Sequence, residues 1–330
     1  MIEFVFTLDY EIYGDGSGSL RKHILEPAEL ILNLFKKYDV PIVIFVEAVE
    51  FDLMSKFSYD PDIDLINKQI KMAYINGHEI GLHIHPQWYN AKYKNGKWEV
   101  DISEYNLCQL PRDRIYDIVS KSIAFLKKLL ESSEYYPISF RAGNWLFQPT
   151  QPLASILYDF GIRIDSSVFE GGLFKKYGVD YRKIRKNGYL WKFYEDVVTK
   201  SSYGKILEIP IFSKLVPFWK IISRKRLEME ISRKVVMRSK KMRIFNILNQ
   251  IRLRYPMKLD FCRMEGQEFI GILRQIIEED RKSPSIYKPI VAIGHTKDLI
   301  EINSIEHILQ FLMKKNISIK TFEQIYKYYF

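Results

Sequence analysis

The sequence predicts an α/β protein built on a parallel sheet. Three observations carry this. Short apolar runs alternate with longer segments of helical periodicity along the 330-residue chain. Polar residues gather where the apolar runs end. A hydrophobic content of 47% is enough for a large core. Strict β–α alternation suits either a barrel or a doubly wound sheet.

The elements follow in order. IEFVFTLD (2–9) reads as a first strand, and PAELILNLFKKYDV (27–40) as an amphipathic helix with Pro27 at its start. PIVIFVEA (41–48) is a continuous buried strand, and LINKQIKMAYING (65–77) a helix stopped by Gly77. HEIGLHIH (78–85) is the next strand, RDRIYDIVSKSIAFLKKLLESS (112–133) the longest clear helix, and ISFRAGNW (138–145) another strand. A helix near 150–160 leads to IRIDSSV (162–168), and KILEIPI (205–211) follows as a strand. MEGQEFIGILRQIIEED (264–280) is helical and KPIVAIGHT (288–296) a strand. A helix near 304–315, a strand at 318–322 and a terminal helix complete the chain, read as one domain over 1–330.

Residues 214–263 break the alternation. They hold fifteen Lys or Arg against Glu228, Glu230 and Asp260, which accounts for more than the whole net charge of +10. Most of 219–255 is compatible with helix, and Ile244, Phe245, Leu248, Ile251 and Tyr255 fall on one face. Two readings stay open: a solvated helical insert packed on the body, or an interfacial helix facing anionic lipid or a lipid- or nucleotide-linked phosphate. No nucleic-acid motif accompanies the charge, so no nucleic-acid partner is expected.

Cys108 and Cys262 are the only cysteines, which excludes a disulfide framework and a Cys-based zinc motif. The opening MIEFVFTLDYE has no secretory pattern, and no apolar run approaches a membrane span. The expected location is the cytoplasm, with a peripheral position at the inner membrane face as an extension.

Candidate chemistry sits at the strand ends. In GHEIGLHIHPQW (77–88), His83 and His85 alternate, so an extended backbone projects both imidazoles to one side, as a metal site requires. Asp9 and Glu11 alternate in the same way; one carboxylate can ligate a metal while the other takes a proton. Arg141 closes a strand together with Asn144, and its guanidinium can orient a carboxylate by charge-assisted hydrogen bonds. Asp165 and His295 end later strands, and a histidine there can act as a general acid.

Taken in order, these stretches resemble the polysaccharide deacetylases, the NodB-homology or carbohydrate esterase family 4. TLDYE (7–11), GHEIGLHIHP (77–86), FRAGNW (140–145), IDSSV (164–168), LEIPI (207–211) and AIGHT (292–296) carry the resemblance. It implies a distorted (β/α)7 TIM-like barrel carrying the basic insert. It also implies metal-dependent removal of an acyl group, acetyl or formyl, from an N-acylated amino sugar or glycan. A divalent metal, zinc first, would be held by Glu11, His83 and either His85 or Gln87. Asp9 would be the base, Arg141 its support, and His295 the acid, tuned by Asp165 or Glu208. Tyr10 stands where the family has a second aspartate. The alternatives are a non-catalytic glycan-binding protein on the same barrel, or a peripheral membrane protein working through 214–263.

Overall fold

The computed structural model describes residues 1–57, 59–217 and 254–329. The first half runs β1 (Ile2–Tyr10), α1 (Glu26–Lys37), β2 (Val43–Glu47), α2 (Ala48–Phe57), α3 (Ile63–Ile75) and β3 (Glu79–Ile84). A hairpin, β4 (Lys92–Lys94) with β5 (Lys97–Glu99), precedes α4 (Arg112–Leu129), β6 (Ser139–Ala142), α5 (Leu153–Asp159) and β7 (Ile164–Asp165). A small pair, β8 (Leu173–Phe174) and β9 (Val179–Asp180), is followed by β10 (Trp191–Phe193), β11 (Ile206–Glu208), β12 (Ser213–Pro217) and β13 (Arg254–Lys258). Then come α6 (Gly266–Lys282), β14 (Lys288–His295), α7 (Ile302–Lys314), β15 (Ser318–Ile319) and α8 (Phe322–Tyr329).

The main sheet has the order β10-β11-β7-β6-β3-β2-β1-β14, with β15 beside the start of β1. Every neighbouring pair is parallel except β10 with β11. The sheet curls. Ile211, just past β11, bridges both Phe169 and Val291 of β14, while Asp260 bridges Ile293. The two ends of the sheet are thereby drawn together around one interior.

Period-two alternation sorts the side chains. Val5, Val43, Phe45, Ile164, Leu207, Ile209 and Val291 fill the interior, and Phe322 and Ile325 of α8 close its lower end. The opposite faces pack against the helices in one large cluster that includes Phe4, Phe6, Phe35 and Leu126. Gly81 lies in the middle of β3 because a Cβ there would meet the Phe45 ring at 2.6 Å and Ser139 Oγ at 2.7 Å. Its missing side chain makes room for Phe45, which in turn supports the site described below.

Several expectations are corrected. β6 stops at Ala142 rather than running to Trp145, and Gly143–Trp145 form a 3-10 turn. A Cβ on Gly143 would stand 2.4 Å from the Ile84 carbonyl oxygen and 2.8 Å from the His85 ring, so glycine lets the turn press against His85. α2 was not expected, since it follows β2 with no turn residue between them. Residues 213–217 and 254–258 form an antiparallel ladder. Tyr255 is in that ladder and not on a helical face. The rest of the helical, basic and interfacial reading of 219–255 lies outside the described residues. Among the described residues no helix is long and apolar enough to cross a membrane.

Glu79, in the lower interior, accepts hydrogen bonds from Ser139 Oγ at 2.5 Å and from the Glu323 backbone N–H at 2.8 Å. Burial outweighs these bonds and raises its pKa to about 7. The folded chain therefore holds this proton more tightly than the unfolded chain. The resulting stability is complete below the unfolded value of about 4.3 and is lost as pH rises through about 7. Glu79→Gln, whose amide can donate to Ser139, is expected to be more stable than wild type at pH 8 by about 2 kcal/mol. It should also flatten the dependence between pH 5 and 8. Parallel urea-unfolding profiles for the two proteins would refute this account.

Candidate metal centre and active site

At the carboxyl ends of the parallel strands lies a cleft of about 330 Å³ lined by Asp9, Glu11, Tyr13, Gly14, His83, His85, Asn144, Trp145, Arg263, His295, Lys297 and Asp298. Ligand-bearing atoms of Glu11, His83 and His85 lie within 4.8 Å of one another, and all three residues are buried. Glu11 Oε2 is 3.4 Å from His83 Nε2 and 3.1 Å from His85 Nδ1. The backbone creates this cluster. β3 ends at Ile84, yet His85 remains extended (φ −106°, ψ 101°), so His83 and His85 project together. Pro86 then starts a 3-10 turn that carries Gln87 away, and its Nε2 points to the Gly14 carbonyl oxygen at 3.4 Å. Of the two candidates for the third position, the geometry brings His85 to the cluster and leaves Gln87 outside the cleft lining.

The donors are prepared. His83 Nδ1 donates to the Arg141 carbonyl oxygen at 2.7 Å, which leaves the Nε2 lone pair toward Glu11. His85 Nδ1 is shielded from solvent and has no hydrogen-bond partner. Burial lowers the pKa of His85 to about 3, so the ring is neutral. For Glu11, burial alone would raise the pKa; the Lys297 ammonium and the two histidines outweigh it and hold the carboxyl well below its ordinary value. Burial opposes charge on His83 too, but the Glu11 and Asp9 carboxylates outweigh it and raise its pKa, so a bound cation would have to displace a proton there. Two imidazole nitrogens and one carboxylate suit a divalent cation of the zinc type. The orphaned His85 nitrogen is a donor that such an ion would satisfy.

Beside the cluster stands Asp9. Arg141 Nη1 donates to Asp9 Oδ1 at 2.5 Å, and Arg141 Nε donates to the Ser166 carbonyl oxygen at 2.8 Å. The guanidinium also lies over the Phe45 ring, 4.3 Å from its centroid. Removing one partner of a buried pair of this kind costs about 3–5 kcal/mol. Asp9 Oδ2 remains toward the cleft, 3.4 Å from His295 Nε2. Tyr10 points the other way, into the helix layer, where its hydroxyl donates to Gln69 Oε1 at 2.6 Å. Burial, with Lys297 and other cations nearby, pushes the His295 pKa well below its ordinary value.

Asp165 does not stand beside His295. Ile164 faces the interior, so Asp165 faces the opposite side of the sheet. There its carboxylate is bonded by Ser167 Oγ at 2.6 Å and lies against Glu208, also turned outward in the adjacent register. Burial and the neighbouring Asp165 charge raise the Glu208 pKa well above its ordinary value. The acid behind His295 is Asp298, whose Oδ2 lies 3.7 Å from His295 Nδ1 and accepts from Arg263 Nε at 2.8 Å.

Sequence reasoning missed Asp298, Lys297, Arg263, Trp145 and Glu47. Lys297 and Asp298 had a signal, since they belong to the short turn, Thr296–Asp298, that follows the strand ending in His295. Lys297 Nζ donates to Glu11 Oε1 at 2.6 Å and to the Ile12 carbonyl oxygen at 2.8 Å. Glu47 accepts from the His85 backbone N–H at 2.6 Å, which pins the strand end. Burial raises the Glu47 pKa to about 8. Arg263 comes from the far side of residues 218–253, a distance along the chain that no local pattern bridges.

Metal analysis checks the cluster. The wild-type protein is expected to take up one equivalent of zinc. Glu11→Ala, His83→Ala and His85→Ala should each weaken uptake by more than about 100-fold, the upper range for loss of an outer-shell partner. Gln87→Ala should match wild type; zinc uptake that survives His85→Ala and fails in Gln87→Ala would reverse the assignment.

No family model and no curated protein matches the sequence. Solved structures do match in fold. A protein assigned as a polysaccharide deacetylase from Mycobacterium smegmatis is 13% identical, with a TM-score of 0.54 over 99% of this chain and 89% of that one. A polysaccharide deacetylase assignment from Pseudomonas aeruginosa matches at 14% identity and a TM-score of 0.52, covering 99% of this chain and 90% of that one. A family 57 glycoside hydrolase branching enzyme from Thermococcus kodakaraensis matches at 11% and 0.54, covering 99% and 71%. At this identity the likeness is one of fold. The chain has the curled parallel α/β architecture that these solved structures share.

Proposed function

We propose that the protein is a metal-dependent hydrolase that removes an N-acyl group, acetyl first, from an amino sugar. The observation that carries this reading is the convergence of Glu11, His83 and His85 with Asp9 and His295 in one cleft. The deacetylases that share the fold support it. A divalent cation held by Glu11, His83 and His85 would supply Lewis acidity, polarising an acyl oxygen and easing the deprotonation of water.

The remaining work falls to the chain's own groups. Asp9 Oδ2 is the base: its partner oxygen is committed to Arg141, so the free oxygen is fixed toward the cleft. His295 is neutral at rest, because burial and nearby cations oppose its charge. Its Nε2 lies 3.4 Å from Asp9 Oδ2. A proton taken from water by Asp9 is thus within reach of His295 Nε2, which passes it to the departing amine. Asp298, anchored by Arg263, faces the other ring nitrogen and favours the imidazolium during that transfer.

One observation favours a second reading, a sugar-binding protein without a metal. Lys297 already places a cation on Glu11. The two readings divide on metal uptake and on turnover.

Release of acetate from N-acetylated amino sugars by zinc-loaded protein is the direct test. Asp9→Asn and His295→Ala are each expected to lower kcat by about 10²–10⁴-fold, the usual worth of a positioned acid or base. Sugar affinity should change little. Wild-type protein that binds sugar yet takes up no zinc and releases no acetate would sink the hydrolase reading in favour of the second.

A further inference from the structure

We propose that the side-chain amide of Asn144 donates a hydrogen bond to the acyl oxygen of the substrate and stabilises the negative charge that oxygen gains in the transition state. The inference rests on the acyl-hydrolase reading and adds to it a residue acting on the reacting atoms.

The turn that carries Asn144 is held in an unfavourable backbone. Asn144 (φ 55°, ψ 18°) and Trp145 (φ 58°) both lie in the left-handed region. Asparagine tolerates that region better than most residues, whereas a bulky tryptophan does not. Such strain persists only where the surroundings over-determine it. Here they do. Gly143 is pressed against His85, the Trp145 carbonyl oxygen accepts from Tyr181 at 2.8 Å, and Lys258 Nζ sits 2.8 Å from the centroid of the Trp145 ring. Trp145 in turn meets His295 edge to face at 5.8 Å.

The amide itself is fixed. Tyr105 donates its hydroxyl to Asn144 Oδ1 at 2.8 Å, and the Tyr105 ring stacks on Tyr177 with centroids 5.0 Å apart. Oδ1 is therefore committed, and Nδ2 takes the other side. Nδ2 is shielded from solvent and has no acceptor. A buried donor without an acceptor is costly, and native structures rarely keep one without a use. Asn144 lines the same cleft as the Glu11–His83–His85 cluster and His295. The cationic side chains of that wall are already engaged: Lys297 on Glu11 and the Ile12 carbonyl, Arg263 on Asp298. A donor that is held in place before charge develops, and that no resting group satisfies, is what electrostatic stabilisation of an oxyanion needs.

Steady-state kinetics of acetate release from an N-acetylated amino sugar test this, with zinc content and thermal unfolding measured alongside. Asn144→Ala is expected to lower kcat by about 100-fold with KM little changed. Asn144→Asp keeps the size of the side chain and an oxygen for Tyr105 but has no donor, so it should be impaired at least as much. Tyr105→Phe, which frees the amide to rotate, should show a smaller loss in kcat. Zinc content and unfolding temperature like those of wild type in Asn144→Asp separate the effect from misfolding. Wild-type kcat in Asn144→Asp, or a rise in KM alone, would overturn the inference and leave the hydrolase reading standing. Wild-type protein without turnover would remove both.

Discussion

The site depends on one buried guanidinium. Arg141 is fully enclosed, and its donors go to Asp9 on β1 and to Ser166 just past β7. Its plane lies on Phe45 of β2, and its backbone carbonyl takes the Nδ1 proton of His83 on β3. One residue thus fixes the free oxygen of Asp9 and the free nitrogen of a candidate ligand, and ties together strands that are far apart in sequence. The arrangement also explains Gly81, whose missing side chain lets Phe45 lie beneath the guanidinium. A charge buried this deeply is tolerated only when it is paired and its hydrogen bonds are met, and here both conditions hold.

Charge balance shapes the rest of the cleft. Asp9 and Glu11 would repel each other at close range in a dry site, and Arg141 and Lys297 compensate them one for one. Asp298 is compensated by Arg263 in the same way. These pairs leave both histidines of the cluster and His295 as the adjustable groups. His85 and His295 are pushed toward the neutral form by burial, which is the form a metal ligand or a proton acceptor needs. Behind them, Glu47 is buried with a raised pKa and holds the β3 end through the His85 N–H. The cleft is therefore an interlocked set of pairs, in which moving one group exposes the charge of another.

Much of this was legible in the chain. The β–α alternation located every strand of the sheet except β10, which joins it antiparallel and breaks the pattern. The strand-end positions of Asp9, Glu11, His83, Arg141 and His295 were readable because period-two alternation determines which residues share a face. Asp165 shows where the reasoning stopped. It ends a strand as the others do, but the face it occupies depends on which of its neighbours enters the interior, and Ile164 does. A two-residue strand has no alternation from which to read that. The turn at Gly143 was equally hidden, since its contacts are with Ile84 at the end of β3 and His85 just past it.

The sequence alone determined the class of fold and the kinds of side chain at the strand ends, because hydrophobic periodicity and residue chemistry are local properties. Only the tertiary structure decided which of those side chains meet. It chose His85 over Gln87 by keeping His85 extended and turning the chain at Pro86. It replaced Asp165 with Asp298 behind His295. It also brought Lys297 to Glu11 and left the Asn144 amide without an acceptor at the cleft wall. Each of these outcomes rests on the curl of the sheet and on contacts between distant segments, and no spacing along the chain encodes them.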